Sequence, residues 1–282
     1  MPLAVVLVVL GPGCSGIARA GEGKEAGGDT SLPAGIDISK LDEFERKVFF
    51  RVLNKEASAC GKGHSLMYSL KHDPGCKRSV YAANYVAKLV DSGYTDSEVS
   101  EELEKRYREP VQKSIDTARA PRRGPGDAPV TIVEFVDYEC PHCREAQTFL
   151  RQVLEAYPRQ VRLFFKQFPL SGHTMARAAA EAAMAAHKQG KFWPYNDKVW
   201  AKSDVLTAAV LEQIAKETGL DMPRWRNDKS SDEIKNWVTQ DKADGLAIGV
   251  NATPSLYING RKYTGRYDLE SISDWIDEEL GK

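Results

Sequence analysis

The sequence predicts a small all-α domain followed by a larger α/β domain. Between residues 37 and 110, apolar side chains recur at the three- and four-residue spacing of amphipathic helices. From residue 127 onward, short apolar runs typical of buried strands alternate with helical segments. The order in this second part is strand, helix, strand, several helices, then strand, strand and helix, which indicates an α/β fold.

Composition limits the class of protein. The net charge is −1 with 28% charged residues, so we expect no nucleic-acid partner, because binding a polyanion needs a basic surplus. The cysteines are too few for a disulfide scaffold in a chain of 282 residues. Their odd number suggests two pairs and one cysteine with a different role. The five are Cys14, Cys60, Cys76, Cys140 and Cys143.

The N-terminus predicts export to the periplasm or cell envelope. Residues 3–10 form an apolar block that is too short to span a bilayer but suits the hydrophobic region of a signal peptide. Cys14 follows a Gly-Pro-Gly stretch and resembles the cleavage site of bacterial lipoproteins, which implies a lipid anchor on Cys14. The alternative is a cleaved signal peptide that discards Cys14. We assign residues 1–20 to this leader and residues 21–36 to a flexible linker.

The small domain, residues 37–110, is predicted to contain three helices. The first begins after Ser39, the second spans residues 78–92, and the third begins at Thr95, which forms a capping box with Glu98. Residues 111–126 are rich in Pro and Gly and predict a linker.

Cys60 and Cys76 lie between the first two predicted helices. In an oxidising compartment the simplest interpretation is a structural disulfide, which would stabilise the fold by ~3 kcal/mol through the closed loop. Two alternatives stay open. The pair could be redox-active, or it could join His64 and His72 in a tetrahedral zinc site, for which two Cys and two His suffice.

Cys140 and Cys143 form the most informative motif in the chain. They follow an apolar run at residues 130–136 and precede a segment whose apolar residues have helical spacing, residues 149–157. This pattern predicts a strand that delivers a Cys-x-x-Cys pair to the first turn of a helix.

The position of this pair suits disulfide exchange, which needs a thiolate, a resolving thiol and an open path. A helix N-terminus stabilises a Cys140 thiolate, Pro141 is tolerated there, and His142 adds an electrostatic contribution. Cys143, one turn later, would resolve the mixed disulfide. The alternatives are half of a zinc site, a structural disulfide, and a His142 that is merely exposed.

The remaining elements follow in order. A second strand is predicted at residues 161–168, and helices at 173–200 (interrupted near Gly190), 205–218 and 231–246. A hairpin with an Asn259-Gly260 turn joins strands 256–258 and 261–263, and a last helix begins near Leu269.

The Cys-Pro-His-Cys motif after a Glu-containing strand resembles the active site of the DsbA family of disulfide oxidases. The resemblance covers residues 127–282 and implies a thioredoxin fold with a helical insertion at about residues 172–246. It implies a thiol–disulfide oxidoreductase, of the protein disulfide oxidase type, that needs no cofactor. Its further anchors are Glu134, Lys166, Phe168-Pro169-Leu170, Gly190-Lys191-Phe192-Trp193 and Thr253-Pro254.

The resemblance also implies roles for residues far from the motif. Pro254 would be a cis-proline that leaves the backbone of Thr253 free to pair with a substrate peptide. Glu134 and Lys166 would form a buried charged pair that relays protons to or from Cys143, or else a purely structural pair or two outward-facing side chains. Thr253 also precedes this proline in reductases and isomerases, which leaves the direction of electron flow open.

The expected partners are thiol-containing substrate proteins and a membrane redox partner of the DsbB or VKOR type that reoxidises the Cys140–Cys143 disulfide. A reductase, an isomerase and a non-catalytic client-binding module remain alternatives. The helical domain resembles the small helical domain of cytochrome c maturation proteins in residues 92–99, followed by Arg106-Tyr107. This implies either thiol chemistry or a docking role for that domain.

Overall fold

The structure, a computed structural model, describes residues 30–108 and 112–281. The predicted leader, including Cys14, and most of the predicted linker at residues 21–36 lie outside the described residues. Within the described ranges, no helix combines the length and the apolar character that crossing a membrane requires.

The N-terminal unit consists of four α-helices and a final π-helical turn. Capping boxes formed by Asp42 with Glu45 and by Thr95 with Glu98 begin the first and fourth helices. The second helix was not predicted, because seven residues are too few to establish a helical period. The elements are α1 (Glu43–Lys55), α2 (Leu66–His72), α3 (Arg78–Asp91), α4 (Asp96–Leu103) and the turn Glu104–Arg108.

Both segments predicted as linkers make ordered contacts in their described parts. Leu32 and Ile36 pack against the apolar core of the helical unit, so this unit includes residues before 37. After residue 111, the N–H of Lys113 donates to the carbonyl of Gly260, and β1 (Arg122–Arg123) pairs with a strand of the sheet. The Pro and Gly content of residues 111–126 predicted a linker, but it could not show that the backbone runs along the sheet edge.

The C-terminal unit is built on a five-stranded sheet with the order β1-β3-β2-β4-β5. The central strand β2 pairs in parallel with β3 and antiparallel with β4, which pairs antiparallel with β5. Helices α5 and α11 pack against this sheet through apolar side chains such as Leu150 and Ile272. The ranges are β2 (Val130–Val136), α5 (Pro141–Ala156), β3 (Val161–Gln167), β4 (Ser255–Ile258), β5 (Arg261–Lys262) and α11 (Leu269–Leu280).

Five helices lie between β3 and β4 and form the insertion. Their apolar side chains share a core with Tyr138, Cys140 and Cys143, so the insertion packs directly behind the paired cysteines. The α9 helix was not predicted because it is largely polar, and its main anchor is the fully buried Trp225. The helices are α6 (Ala176–Lys188), α7 (Phe192–Ala201), α8 (Ala208–Glu217), α9 (Met222–Ser230) and α10 (Asp232–Ala247).

A buried ionic cluster joins the helical unit to α11. Glu278 accepts hydrogen bonds from Arg106 at 2.7 Å and from Arg261 at 3.4 Å. The Arg106 guanidinium also lies over the rings of Tyr85 and Trp275, 4.6 and 4.5 Å from their centroids. These side chains connect residues from both units, so the two units share one packed interface.

Candidate active site

Cys140 and Cys143 lie where the sequence predicts them, at the N-terminus of α5. Cys140 is the N-cap residue with extended backbone angles, and Pro141 occupies the first turn, where its missing N–H leaves no hydrogen bond unmade. Both cysteines are thiols in this structure, and the side chain of Cys143 is completely buried. The N–H of Cys140 donates to the carbonyl of Asp137 at 3.1 Å, which fixes the loop between β2 and α5.

The loop before β4 faces Cys140. Its Thr253–Pro254 peptide bond is cis, as the resemblance implied. The Cys140 thiol donates to the carbonyl of Thr253, with an Sγ–O distance of 3.3 Å. The Thr253 hydroxyl is buried and has no geometrically well-formed hydrogen bond to any described residue, which leaves it able to turn towards the sulfur.

The two thiols differ strongly in acidity. Hydrogen bonding from the Cys143 thiol lowers the pKa of Cys140 to about 5, with further help from Thr253 and from the N–H groups of Cys143 and His142, although burial acts in the opposite direction. Burial raises the pKa of Cys143 well above that of a free thiol. Cys140 is therefore the thiolate at neutral pH, and Cys143 stays protonated.

The His142 side chain points into solvent. Its imidazole is 79% exposed and lies 3.6 Å from the carboxylate of Glu145. Its backbone N–H, however, is one of the groups that lower the pKa of Cys140. The backbone of His142 at the helix start thus contributes to the site directly, whereas its ring extends into solvent.

Glu134 is completely buried, but its partner differs from the expected one. Its Oε1 accepts a hydrogen bond from Gln147, which also approaches the carbonyl of Cys143. Its Oε2 has no hydrogen-bond partner among the described residues. Burial raises the pKa of Glu134 to about 8, against a smaller opposing effect of Gln147. Glu134 is thus a largely protonated carboxylic acid beside the helix that carries Cys143.

The predicted pair of Glu134 and Lys166 does not form. The Lys166 ammonium lies 3.0 Å from the Asp241 carboxylate and 2.6 Å from the Asp244 carboxylate, both on α10. Register explains the error. Glu134 is aligned with Phe165, and Lys166 with Phe135, so the two side chains point to opposite faces of the sheet. Lys166 therefore attaches the insertion to the sheet and does not reach the cysteines.

Four residues near the cysteines were not predicted as part of the site: Asp137, His173, Gln147 and Tyr267. Asp137 is buried, accepts the N–H groups of Glu139 and Leu170, and lies 2.9 Å from the His173 ring. The sequence predicted that a helix begins at residue 173, but α6 begins only at Ala176. The sequence signal that could have identified Asp137 is its position directly after a buried strand. An acidic side chain at such a position commonly accepts hydrogen bonds from nearby N–H groups.

Tyr267 and Gln147 complete this environment. The Tyr267 hydroxyl donates to the carbonyl of Pro254 at 2.9 Å, and its ring packs edge-on against Phe149 of α5. Gln147 lies one helical turn after Cys143, a spacing that places both on one face of α5. Tyr267 had no comparable signal, because it lies in an irregular loop 124 positions after Cys143.

Cys60 and Cys76 form a disulfide in the helical unit. Their sulfurs are therefore bonded to each other and are not free to bind zinc with His64 and His72. Those two rings instead pack against the Tyr68 ring in tilted orientations, with centroid distances of 4.7 and 4.5 Å. Within the described ranges, no three His, Cys, Asp or Glu side chains come together in a way that could hold a metal ion.

The fold and the paired cysteines define a DsbA-like, thioredoxin-fold oxidoreductase domain preceded by helices, which confirms the predicted fold class. A family model described as Thioredoxin matches residues 116–278, more than half of the chain, and the chain therefore belongs to the thioredoxin family. The match begins within the segment that we predicted to be a linker, in agreement with its contacts to the sheet.

Several known proteins are similar to this domain. The Na(+)/H(+) antiporter NhaA 3 of Salinispora tropica is 38% identical over 160 residues, 56% of this chain and 24% of the antiporter. The chain thus spans about a quarter of the length of the curated relatives it matches. A thioredoxin-like oxidoreductase from Silicibacter pomeroyi DSS-3 aligns at 28% identity and a TM-score of 0.52, covering 58% of this chain and 94% of that one. BdbD from Bacillus subtilis, oxidised, aligns at 24% identity and a TM-score of 0.56, covering 61% and 98%.

Proposed function

We propose that this protein is an exported thiol–disulfide oxidase that introduces disulfide bonds into other proteins. The observation that carries the proposal is the position of Cys140 at a helix N-terminus, where the Cys143 thiol, the Thr253 side chain and the backbone N–H groups of Cys143 and His142 favour a negatively charged sulfur. This environment stabilises the thiolate and hence the reduced form of the pair. A stabilised reduced form makes the corresponding disulfide a stronger oxidant.

The reaction begins with the Cys140–Cys143 disulfide. A thiolate of the substrate protein attacks the Cys140 sulfur, a mixed disulfide forms, and the Cys143 sulfur leaves with the electron pair of the broken bond. A second substrate thiolate then attacks the substrate sulfur of the mixed disulfide, and Cys140 leaves as a thiolate. The substrate gains a disulfide, and two electrons remain on Cys140 and Cys143.

The leaving Cys143 sulfur needs a proton, because burial makes its thiolate unfavourable. Glu134 is suited to supply it, since its buried carboxyl is still largely protonated at pH 7 and bonds to Gln147 beside Cys143. The role proposed for Glu134 therefore does not require Lys166. The Thr253 backbone is placed to pair with an extended substrate segment beside Cys140.

The same proposal covers location and partners. The apolar block at residues 3–10 supports export to the periplasm or cell envelope, and Cys14 is the candidate for a lipid anchor. The Cys60–Cys76 disulfide suits an oxidising compartment. A membrane partner of the DsbB or VKOR type would reoxidise Cys140 and Cys143, with thiol-containing proteins as substrates.

The reduction potential tests the direction of electron flow. The Cys140–Cys143 pair is equilibrated with glutathione buffers, and the two thiols are quantified by alkylation and peptide mass spectrometry. We expect a potential well above the value of about −270 mV found for reducing thioredoxins. A thioredoxin-like potential would favour a reductase or isomerase, for which Thr253 before the cis-proline is the supporting feature.

Substrate turnover separates an oxidase from a client-binding module. A reduced two-cysteine peptide is mixed with one equivalent of the oxidised protein, and its disulfide is followed by mass. We expect rapid oxidation by the native protein and none by Cys140→Ser. Mixed instead with the oxidised form of the peptide, the Cys143→Ser variant should accumulate a mixed disulfide, because its Cys140 thiolate attacks the peptide disulfide and the protein has no second thiol at the site to resolve the product. Peptide binding without any thiol exchange would contradict the oxidase and favour the non-catalytic client-binding module.

A further inference from the structure

The Cys60–Cys76 disulfide has no part in the chemistry proposed for Cys140, and its two sulfurs have very different surroundings. Cys60 is exposed and is followed by three exposed residues, 61–63. Cys76 is buried, with 4% of its surface accessible. An incoming thiol can therefore reach Cys60, whereas packed side chains block the approach to Cys76. A purely structural disulfide does not need such an asymmetry.

Two buried serine hydroxyls lie beside the Cys76 sulfur, and a third lies within hydrogen-bond distance of both of them. The Ser79 hydroxyl donates to Cys76 Sγ at 3.1 Å, and the Ser58 hydroxyl lies 4.0 Å from the same atom. The Ser69 hydroxyl joins the other two, 2.8 Å from Ser79 and 3.0 Å from Ser58. All three serines are at most 4% exposed. A divalent sulfur is a weak acceptor, so this set of donors is more than a disulfide needs.

The same donors are well matched to a thiolate. Hydroxyl hydrogens rotate freely, so Ser79 and Ser58 can both direct their O–H groups at a negatively charged sulfur, while Ser69 donates its single hydrogen to one of these two oxygens. Hydrogen bonds to an ionised group are shorter and stronger than neutral ones. A sulfur that is stabilised as a thiolate is a good leaving group in thiol–disulfide exchange.

From this arrangement we infer that Cys60–Cys76 is a second redox centre, at which a protein dithiol attacks Cys60 and Cys76 is the leaving group. The thiolate of the partner bonds to the Cys60 sulfur, and the Cys60–Cys76 bond breaks with its electron pair on Cys76. The second thiol of the partner, as a thiolate, then attacks the partner's sulfur of the mixed disulfide and releases Cys60 as a thiolate. The partner ends as a disulfide, and this centre ends as a dithiol.

The partner must come from outside the chain, or from a second copy of it. Lys77, next to Cys76, donates to the carbonyl of Gly281, directly after the C-terminal end of α11. Tyr267, just before the N-terminal end of α11, donates to the carbonyl of Pro254 beside Cys140. A helix of 12 residues is about 18 Å long. The two cysteine pairs therefore lie at opposite ends of α11, too far apart for direct exchange.

Reduction of the folded protein tests the inference without depending on the activity of Cys140. The full chain is exposed to dithiothreitol as the probe dithiol, and samples are quenched with an alkylating reagent. Peptide mass spectrometry then follows Cys60 and Cys76 alone, while circular dichroism reports whether the fold persists. We expect reduction at a rate that exceeds global unfolding and is proportional to dithiothreitol concentration. A rate equal to that of global unfolding would make the disulfide purely structural and overturn the inference.

Serine variants test the leaving-group role. Ser79→Ala removes the donor nearest to Cys76, and we expect reduction to slow about tenfold, the effect of losing roughly one hydrogen bond to a charged group. Ser97→Ala is the matched control, because Ser97 is exposed and bonds only to Thr95 in the described structure. Equal reduction rates for the two variants would show that the serine hydroxyls do not assist the departure of Cys76.

A trapping experiment covers the case in which Ser79→Ala fails to fold. The variant Cys76→Ser keeps the exposed Cys60 thiol, whereas Cys60→Ser keeps only the buried Cys76 thiol. With an activated aromatic disulfide as probe and peptide mass spectrometry as readout, we expect Cys60 of Cys76→Ser to form a mixed disulfide at least tenfold faster than Cys76 of Cys60→Ser in the folded state. Equal trapping rates at the two positions would contradict the assignment of Cys60 as the attacked sulfur.

Discussion

The Cys140 thiol donates a hydrogen bond to the carbonyl of Thr253 across an Sγ–O distance of 3.3 Å. This bond joins the start of α5 to the cis-peptide loop, although the two residues are 113 positions apart in sequence. The nucleophilic sulfur and the backbone expected to hold a substrate are thus adjacent. Substitutions near Cys140 or in the loop at Thr253 should therefore alter both the pKa of Cys140 and the rate of thiol–disulfide exchange.

The stability of the reduced protein should depend on the Cys140 thiolate. The pKa of Cys140 is lowered from about 9 in the unfolded chain to about 5 in the fold, so the folded state releases the proton first. We expect the reduced form to gain stability relative to the oxidised form as pH rises from 5 to 9. The gain should disappear as pH falls through 5. Urea unfolding of both forms at several pH values measures the difference, and a flat difference would contradict the low pKa.

Replacement of Thr253 by Val should raise the pKa of Cys140 above about 5. The Thr253 side chain is among the groups that lower this pKa, and Val keeps the shape while removing the hydroxyl. The reduced form should lose roughly 1 kcal/mol relative to the oxidised form, the usual contribution of one hydrogen bond. Thiolate absorbance at 240 nm during a pH titration reports the change. Thr264→Val is the control, because its buried hydroxyl also lacks a hydrogen-bond partner among the described residues.

Glu134→Gln should change both stability and kinetics. Burial raises the pKa of Glu134 to about 8, so the native protein loses stability as pH rises from about 4.5 through 8, whereas a neutral Gln has no such dependence. The variant should therefore become more stable relative to the native protein as pH rises. Reaction of its disulfide with a substrate thiol should be slower, because Cys143 would lose its proton donor.

Stopped-flow fluorescence and urea unfolding measure these two effects of Glu134→Gln. Glu155→Gln is the control on the same helix, since Glu155 is exposed at the far end of α5. Unchanged kinetics in Glu134→Gln would remove this carboxyl from the mechanism while leaving the exchange chemistry of Cys140 intact.

Glu278→Gln should destabilise the packing of the helical unit on α11. The change leaves the buried Arg106 and Arg261 guanidinium groups without their shared carboxylate, which typically costs about 3–5 kcal/mol. The exposed pair of Lys88 and Glu270 lies on the same interface, so Glu270→Gln should cost at most ~1 kcal/mol. Urea unfolding followed by far-UV circular dichroism compares the two. Equal losses would show that the buried cluster contributes no more than a surface ion pair.

Much of the site could be predicted because its information is local. The apolar run of β2 and the Cys-x-x-Cys spacing identified the strand, the helix start and the two thiols without any tertiary contact. The partner of Glu134 could not be predicted in this way. It depends on whether β2 and β3 align Glu134 with Phe165 or with Lys166, and a shift of one residue reverses which side chains share a face. Sequence alone does not specify that alignment.

The sequence by itself determined most of the strands and helices and the position of the paired cysteines, because apolar periodicity and short motifs encode them locally, and the family resemblance implied the cis-proline. Only the tertiary structure decided which distant groups meet. It placed Gln147 on Glu134, Asp137 beside His173, and the serine hydroxyls around Cys76. It also packed both predicted linkers in part onto the fold. These contacts depend on how whole elements pack against one another. That packing involves residues from distant parts of the chain, so no single segment specifies it.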